Sequence, residues 1–269
     1  MRELPIHRVQ KVWGRHEPPA PFTNPSSEPL GEIWFDPPPD FSNLLVKYIF
    51  TSAALSVQVH PNDTQAPAGH RGKSECWYIL DAEPGAQIAV GLKREMSVEE
   101  LRAAALDGSI ESNLGYFDVR AGDFFSIPAG TIHAIGAGIS LLEVQQNSGI
   151  TYRLYDYGRP RELHLEDGLQ VSERGVYDPG PRVDTSGRDY VEFIDGPFFR
   201  MARVSGSAKI PAGRFEGQTL VLPFSDGVSV GGRPLAKGSC TLTEGVDGLA
   251  LADGAAVALV EESERPTAR

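Results

Sequence analysis

Short apolar runs, each ended by proline or glycine, are the feature that most restricts what this chain can fold into. LLVKYIF (44–50), LSVQVH (55–60), CWYIL (76–80), QIAVGL (87–92), DFFSIP (123–128), ISLLEVQQ (139–146) and YRLYDY (152–157) all read as strands. DPPPD (36–40), PAGH (67–70), EPG (83–85) and PAGT (128–131) break them apart. Many short strands at regular spacing predict a mainly β sandwich or barrel. One helix stands out: SVEELRAAALDGS, with Ser97 at the N-cap, Glu100 at the capping-box position and Gly108 closing it. Lying between strands, it reads as an insertion near 97–107, not as part of a βαβ unit. A weaker helical turn is expected over LHLEDGLQ (163–170).

The polar stretch YDPGPRVDTSGRD (177–189) divides the chain. Beyond it come YVEFI, FFRMARV, QTLVLPF, GVSV, CTLTE, GLALA and AAVALVE, strand-like and without a histidine. Two units follow: residues 1–176 carry the chemistry, and 190–262 form a smaller β-domain with packing residues and no metal centre. The last residues, SERPTAR, read as a frayed tail.

A net charge of −11 argues against nucleic acid or an anionic membrane as partner, while leaving room for a small anionic substrate held by a local cluster of cations. Cys76 and Cys240 have neither disulfide nor metal spacing, and Cys76 reads as a buried small hydrophobe. The N-terminus has no apolar signal region and no run approaches a membrane span, so a cytoplasmic protein is expected. Composition does not assign an oligomeric state.

The chemistry concentrates in LSVQVHPNDTQAPAGHRGKSECWYIL (55–80). Gln58 and His60 are two apart, as are Lys73 and Glu75, and in strands such pairs share a face. An amide, an imidazole, an ammonium and a carboxylate on neighbouring strands describe a site better than a core. A second stretch, AGDFFSIPAGTIHAIGAG (121–138), holds Gly122, Pro128, Gly130 and His133 as G-x5-P-x-G-x2-H, a strand running into a sharp Pro-Gly turn that brings His133 inward. His7, His16 and His164 read as surface or loop residues, and His70 is left open. Trp13, Trp34 and Trp77 are expected in the core, Trp77 behind Glu75.

The pattern G-x5-P-x-G-x2-H resembles the second cupin motif, and Gln58-x-His60 with Glu75 resembles a variant of the first. Together with VQQNSGITYRLYDYGR (144–159), GEIWF (31–35) and KVWG (11–14), it resembles the type I phosphomannose isomerases in their short bacterial form, over roughly residues 10 to 170. The resemblance implies a cupin barrel and one zinc ion held by Gln58, His60, Glu75 and His133. It also implies interconversion of mannose 6-phosphate and fructose 6-phosphate through an enediolate. Arg153 matches the family's active-site arginine, Lys73 a substrate-site lysine with an acid/base or phosphate role, and Ser56 a position near the substrate. Arg159 or Arg161 is expected to reach the phosphate, on the sign of their charge alone, and Arg159 is taken as the substrate residue. The large helical domain of longer members cannot be present, and Ile135 stands where eukaryotic members carry tyrosine. Two other readings are an iron-dependent cupin dioxygenase and a non-catalytic sugar-binding cupin. The first needs a ligand set usually richer in histidine. The second has no use for Lys73 and Arg153 as a pair.

Overall fold

The computed structural model describes residues 1–180, 182, 183, 185, 187–206 and 209–263; most of the expected frayed tail, 264–269, lies outside the described residues. It is mainly β and stacks in layers. A three-stranded sheet packs on a six-stranded sheet, both built largely from the C-terminal part. That six-stranded sheet packs on a second six-stranded sheet from the N-terminal part. A five-stranded sheet closes the barrel with the latter, and helices cover its outer face. This is the cupin barrel expected from the sequence, with a second, smaller β-layered part behind it.

The layering explains why Leu44–Phe50 and Ile139–Gln146 are buried at every position. Antiparallel strands usually wet one face, but these lie in a sheet covered on both sides. Val46, Tyr48, Phe50, Leu142 and Val144 face Met201, Leu220, Leu222 and Val260 of the C-terminal sheet. Ile49 and Leu141 face the barrel interior with Trp13, Trp77, Ile79, Ile88 and Val90. Cys76 and Cys240 are both buried free thiols.

The short strand Arg2–Glu3, expected in the first unit, instead pairs with Thr241–Glu244 in the C-terminal sheet, through Arg2↔Leu242 and Glu3↔Thr241. The next strand, Ile6–Arg15, returns to the edge of the N-terminal six-stranded sheet. The chain end thus stitches the two parts together.

The inserted helix runs Val98–Asp107. Ser97 accepts from the Glu100 backbone N–H, the Glu100 carboxylate accepts from the Ser97 N–H, and Gly108 ends the helix at φ 81°. Its buried face, Leu101, Ala104 and Ala105, lies on Val57, Val59 and Ala89 of the five-stranded sheet. Ser97→Ala removes one arm of the capping box. The expected result is a loss of about 1 kcal/mol, read as a lower urea midpoint with an unchanged slope. An unchanged midpoint would mean that packing alone holds this helix. A further turn, Ile110–Asn113, has no sequence signal beyond its neighbour, and the weak turn near 163–170 forms as Leu165–Val171. Among the described residues no helix is long and apolar enough to cross a membrane.

Candidate metal centre

Two rows of side chains face each other across the barrel. In the five-stranded sheet, Arg153 pairs with Gln58 and Gln58 with His133. In the N-terminal six-stranded sheet the row is Trp34, Lys47, Glu143 and Trp77. Glu75 opens the strand Glu75–Ala82, between Gln145 and Ile127. The Pro-Gly turn of the second motif acts here: Gly130, at φ 88°, donates its N–H to the His60 carbonyl at 2.8 Å. A side chain at Gly130 would run into Glu173 Cγ, 2.9 Å from an added Cβ. This contact fixes His60, just past Val57–Val59, beside His133 at the head of His133–Ile135.

His60, Glu75 and His133 are buried, and their ligand atoms lie within 4.8 Å of one another. His60 Nδ1 donates to the Ile150 carbonyl at 2.9 Å, and His133 Nδ1 donates to the Thr131 carbonyl at 2.8 Å. A carbonyl only accepts, so both protons sit on Nδ1 and both Nε2 atoms carry a lone pair, each 3.5 Å from one of the Glu75 oxygens. Lys73 Nζ lies 2.9 Å from Glu75 Oε2 and 3.1 Å from His60 Nε2. Neither Glu75 oxygen accepts an aligned hydrogen bond among the described residues. Burial pushes the His133 imidazole down to about 4, and burial followed by the Lys73 charge pushes His60 well below its ordinary value. Both rings are therefore neutral near pH 7, the form that ligates a metal. Burial, then Glu143, raises Glu75 above its ordinary range. Two neutral imidazoles and a buried carboxylate without an aligned hydrogen bond form a donor set that a divalent cation would complete.

Gln58 is half-buried, its amide nitrogen 3.3 Å from His133 Nε2. A half-turn of that amide puts its oxygen at the same point, which adds a fourth donor.

A cavity of about 360 Å³ lies beside this cluster: Gln58 and Lys73, which touch His133 and Glu75, are on its wall with Ser56 and Arg153. Arg153 sends one amine to the Glu162 carbonyl at 2.6 Å, while its Nε is buried without a hydrogen bond. Arg159 does not line the cavity: its guanidinium is held by Asp156 Oδ1 at 2.7 Å and the Ala54 carbonyl at 2.9 Å. Arg161, also bound to Asp156, is on the wall instead. The difference arises at Tyr157, whose φ of 53° reverses the chain just before both arginines. His70 is exposed, and His164 holds the Arg153 backbone through Nδ1 at 3.2 Å.

The sequence reading missed the charged group behind the cluster. Lys47 Nζ donates to Glu143 Oε1 at 2.9 Å, contacts the Gln145 side-chain oxygen and stands 4.7 Å over the Trp34 ring. Trp77 donates to Glu143 Oε2 at 3.1 Å and meets the His133 ring edge-on at 5.4 Å. Burial alone would raise the Glu143 carboxyl, but Lys47 and Lys73 outweigh it and hold it at about 2. Trp13 and Trp77 are in the core as expected; Trp34 is part of the cavity wall. The usable signal was one charge in each of two otherwise apolar runs, LLVKYIF and ISLLEVQQ.

Fold and cluster together define a metal-site cupin with a cation-lined cavity. No family model matches the chain. It is 38% identical over 201 residues to the mannose-6-phosphate isomerase of Streptococcus mutans, a match covering 68% of this chain and 63% of that protein. It is 47% identical over 139 residues to a mannose-6-phosphate isomerase of Bacillus subtilis, covering 48% of this chain and 44% of that one. The chain thus spans less than two thirds of the length of these curated relatives. The crystal structure of the mannose 6-phosphate isomerase from Bacillus subtilis superposes with a TM-score of 0.82 at 25% identity, over 97% of this chain and 99% of that one. The chain is thus similar in sequence and in fold to mannose-6-phosphate isomerases.

Proposed function

We propose that the chain is a zinc-dependent aldose–ketose isomerase that interconverts mannose 6-phosphate and fructose 6-phosphate. The observation that carries this reading is the buried His60, Glu75 and His133 set, which lies directly behind Lys73 and Gln58 on the wall of a cavity that also bears Arg153.

Gln58, His60, Glu75 and His133 would hold the zinc ion, which accepts imidazole nitrogen and carboxylate or amide oxygen. Bound there, zinc supplies Lewis-acid polarisation of sugar oxygens. The rest of the chemistry falls to the chain. The reaction moves a proton between C2 and C1 through an enediolate, so negative charge develops on the sugar and later disappears. Arg153 is a permanent cation on the wall beside Gln58, and it stabilises that charge. Lys73, paired with Glu75, acts as an ammonium donor at the cavity floor. Ser56 offers a buried hydroxyl to the sugar. Arg161 takes the phosphate-facing place first assigned to Arg159. Trp13, Trp34 and Leu55 give the cavity apolar walls that limit water. The reaction leaves no net oxidation and needs no redox cofactor. The partner is a small sugar phosphate rather than nucleic acid or membrane, in keeping with a cytoplasmic enzyme.

The test is an assay of purified protein on mannose 6-phosphate before chelation, after it, and after zinc is returned. Fructose 6-phosphate is expected in the first and third states and not in the second. Absence of product in all three would end the substrate assignment.

A further inference from the structure

A second cavity, of about 440 Å³, lies between the two six-stranded sheets, on the reverse face of the strands that build the metal cluster. We propose that it is a second ligand site, for a small planar aromatic molecule bearing one negative charge.

The walls supply the aromatic surface. Tyr48 and Phe50 lie beside Phe22, whose ring is 4.6 Å from Tyr48 and 5.0 Å from Phe50. Two strands along the same sheet, Tyr78 stacks on Phe224 at 4.9 Å with 10° between their planes. Flat rings set this way accept another flat ring, which gains by stacking as well as by leaving water. The volume lies in the range of small-molecule sites.

The polar groups on the wall select the charge. Ser140 is fully buried, lines the cavity, and its Oγ has no hydrogen-bond partner among the described residues. A buried hydroxyl without a partner is unusual in a settled core, and here it points to a missing acceptor or donor. Arg203 and Lys237 also line the cavity, and neither pairs with a carboxylate among the described residues. Arg203 bonds only neutral groups, Ser205 Oγ at 3.1 Å and the Tyr78 hydroxyl. Asp81 is the one carboxylate on the wall, and it is exposed. Lys237 is exposed as well and offsets Asp81, so the half-buried Arg203 leaves the cavity with a surplus positive charge, in a chain whose net charge is −11. A neutral ring fits the aromatic walls equally well but leaves that surplus unanswered, so the anion is favoured.

The experiment uses the full-length chain and anilinonaphthalene sulfonate, a fluorescent planar aromatic anion. Saturable binding of one probe per chain is expected, at least roughly tenfold tighter than that of uncharged phenylnaphthylamine, as one charge-assisted contact would give. Arg203→Met should weaken the sulfonate by about tenfold, and Ala121→Trp, which adds bulk from the exposed rim, should block it while the thermal melt is unchanged. Equal affinity for the charged and uncharged probes would overturn the choice of an anion. Sulfonate binding that survives both substitutions, or that never saturates, would overturn the site.

Discussion

Glu75→Gln should empty the metal centre and lower turnover of mannose 6-phosphate by a factor on the order of 10³. Glu75 is the only carboxylate in the cluster, and its oxygens lie between the two imidazoles. Glutamine keeps the shape but withdraws the negative charge. It would also leave Lys73 without the carboxylate 2.9 Å away. Three readings check this together: metal content by emission spectroscopy, activity, and the melting temperature with and without added zinc. Wild-type protein should melt higher with zinc, because the ion binds the folded state alone, and the variant should not respond. Wild-type zinc content in the variant would rule out Glu75 as a ligand.

The second large effect is expected at a cavity-wall residue outside the metal-ligand set. Lys47→Met should destabilise the protein by about 3–5 kcal/mol, since it leaves Glu143 buried without its nearest cation. The double substitution with Glu143→Gln should recover part of the loss, because the charge and its partner leave together. The pH dependence follows from the same pair. Glu143 is held at about 2 against an ordinary 4.5, so its folded value lies below its unfolded one. Its contribution is complete above pH 4.5 and disappears as pH falls towards 2, where the unfolded chain takes up a proton that the folded one refuses. Lys47→Met should flatten the stability profile in that window. A variant as stable as wild type, with the same acid profile, would show that Glu143 does not depend on Lys47.

How far the sequence announced this arrangement varied with the kind of signal. Leu44–Phe50, Gln87–Leu92 and Ile139–Gln146 have the bounds their apolar runs suggested, since each run ends at a turn residue or a polar break. The inserted helix was equally legible from its cap. Strands such as Leu114–Asp118 and Arg233–Leu235 were not, because they are short and take their conformation from neighbours. At the site, the motif spacing put Gln58 and His60 on and just past one strand. Lys73 meets Glu75 from the loop before its strand, and the turn at Gly130 brought His60 and His133 together. The Lys47–Glu143 pair went unread because a cross-strand register joins residues 96 apart. The choice between Arg159 and Arg161 hung on the backbone of Tyr157, which no residue pattern discloses.

The two-faced sheet has a consequence for how the chain is made. Leu44–Phe50 and Ile139–Gln146 leave the ribosome with one side destined for the barrel and the other for residues such as Met201, Leu220 and Val260, which do not yet exist as polypeptide. The nascent barrel therefore carries a bare apolar flank for as long as translation takes to add roughly sixty to a hundred more residues, some seconds to tens of seconds at ordinary elongation rates. Over that interval the metal ligands are all synthesised, while the wall behind them is still waiting for its other half.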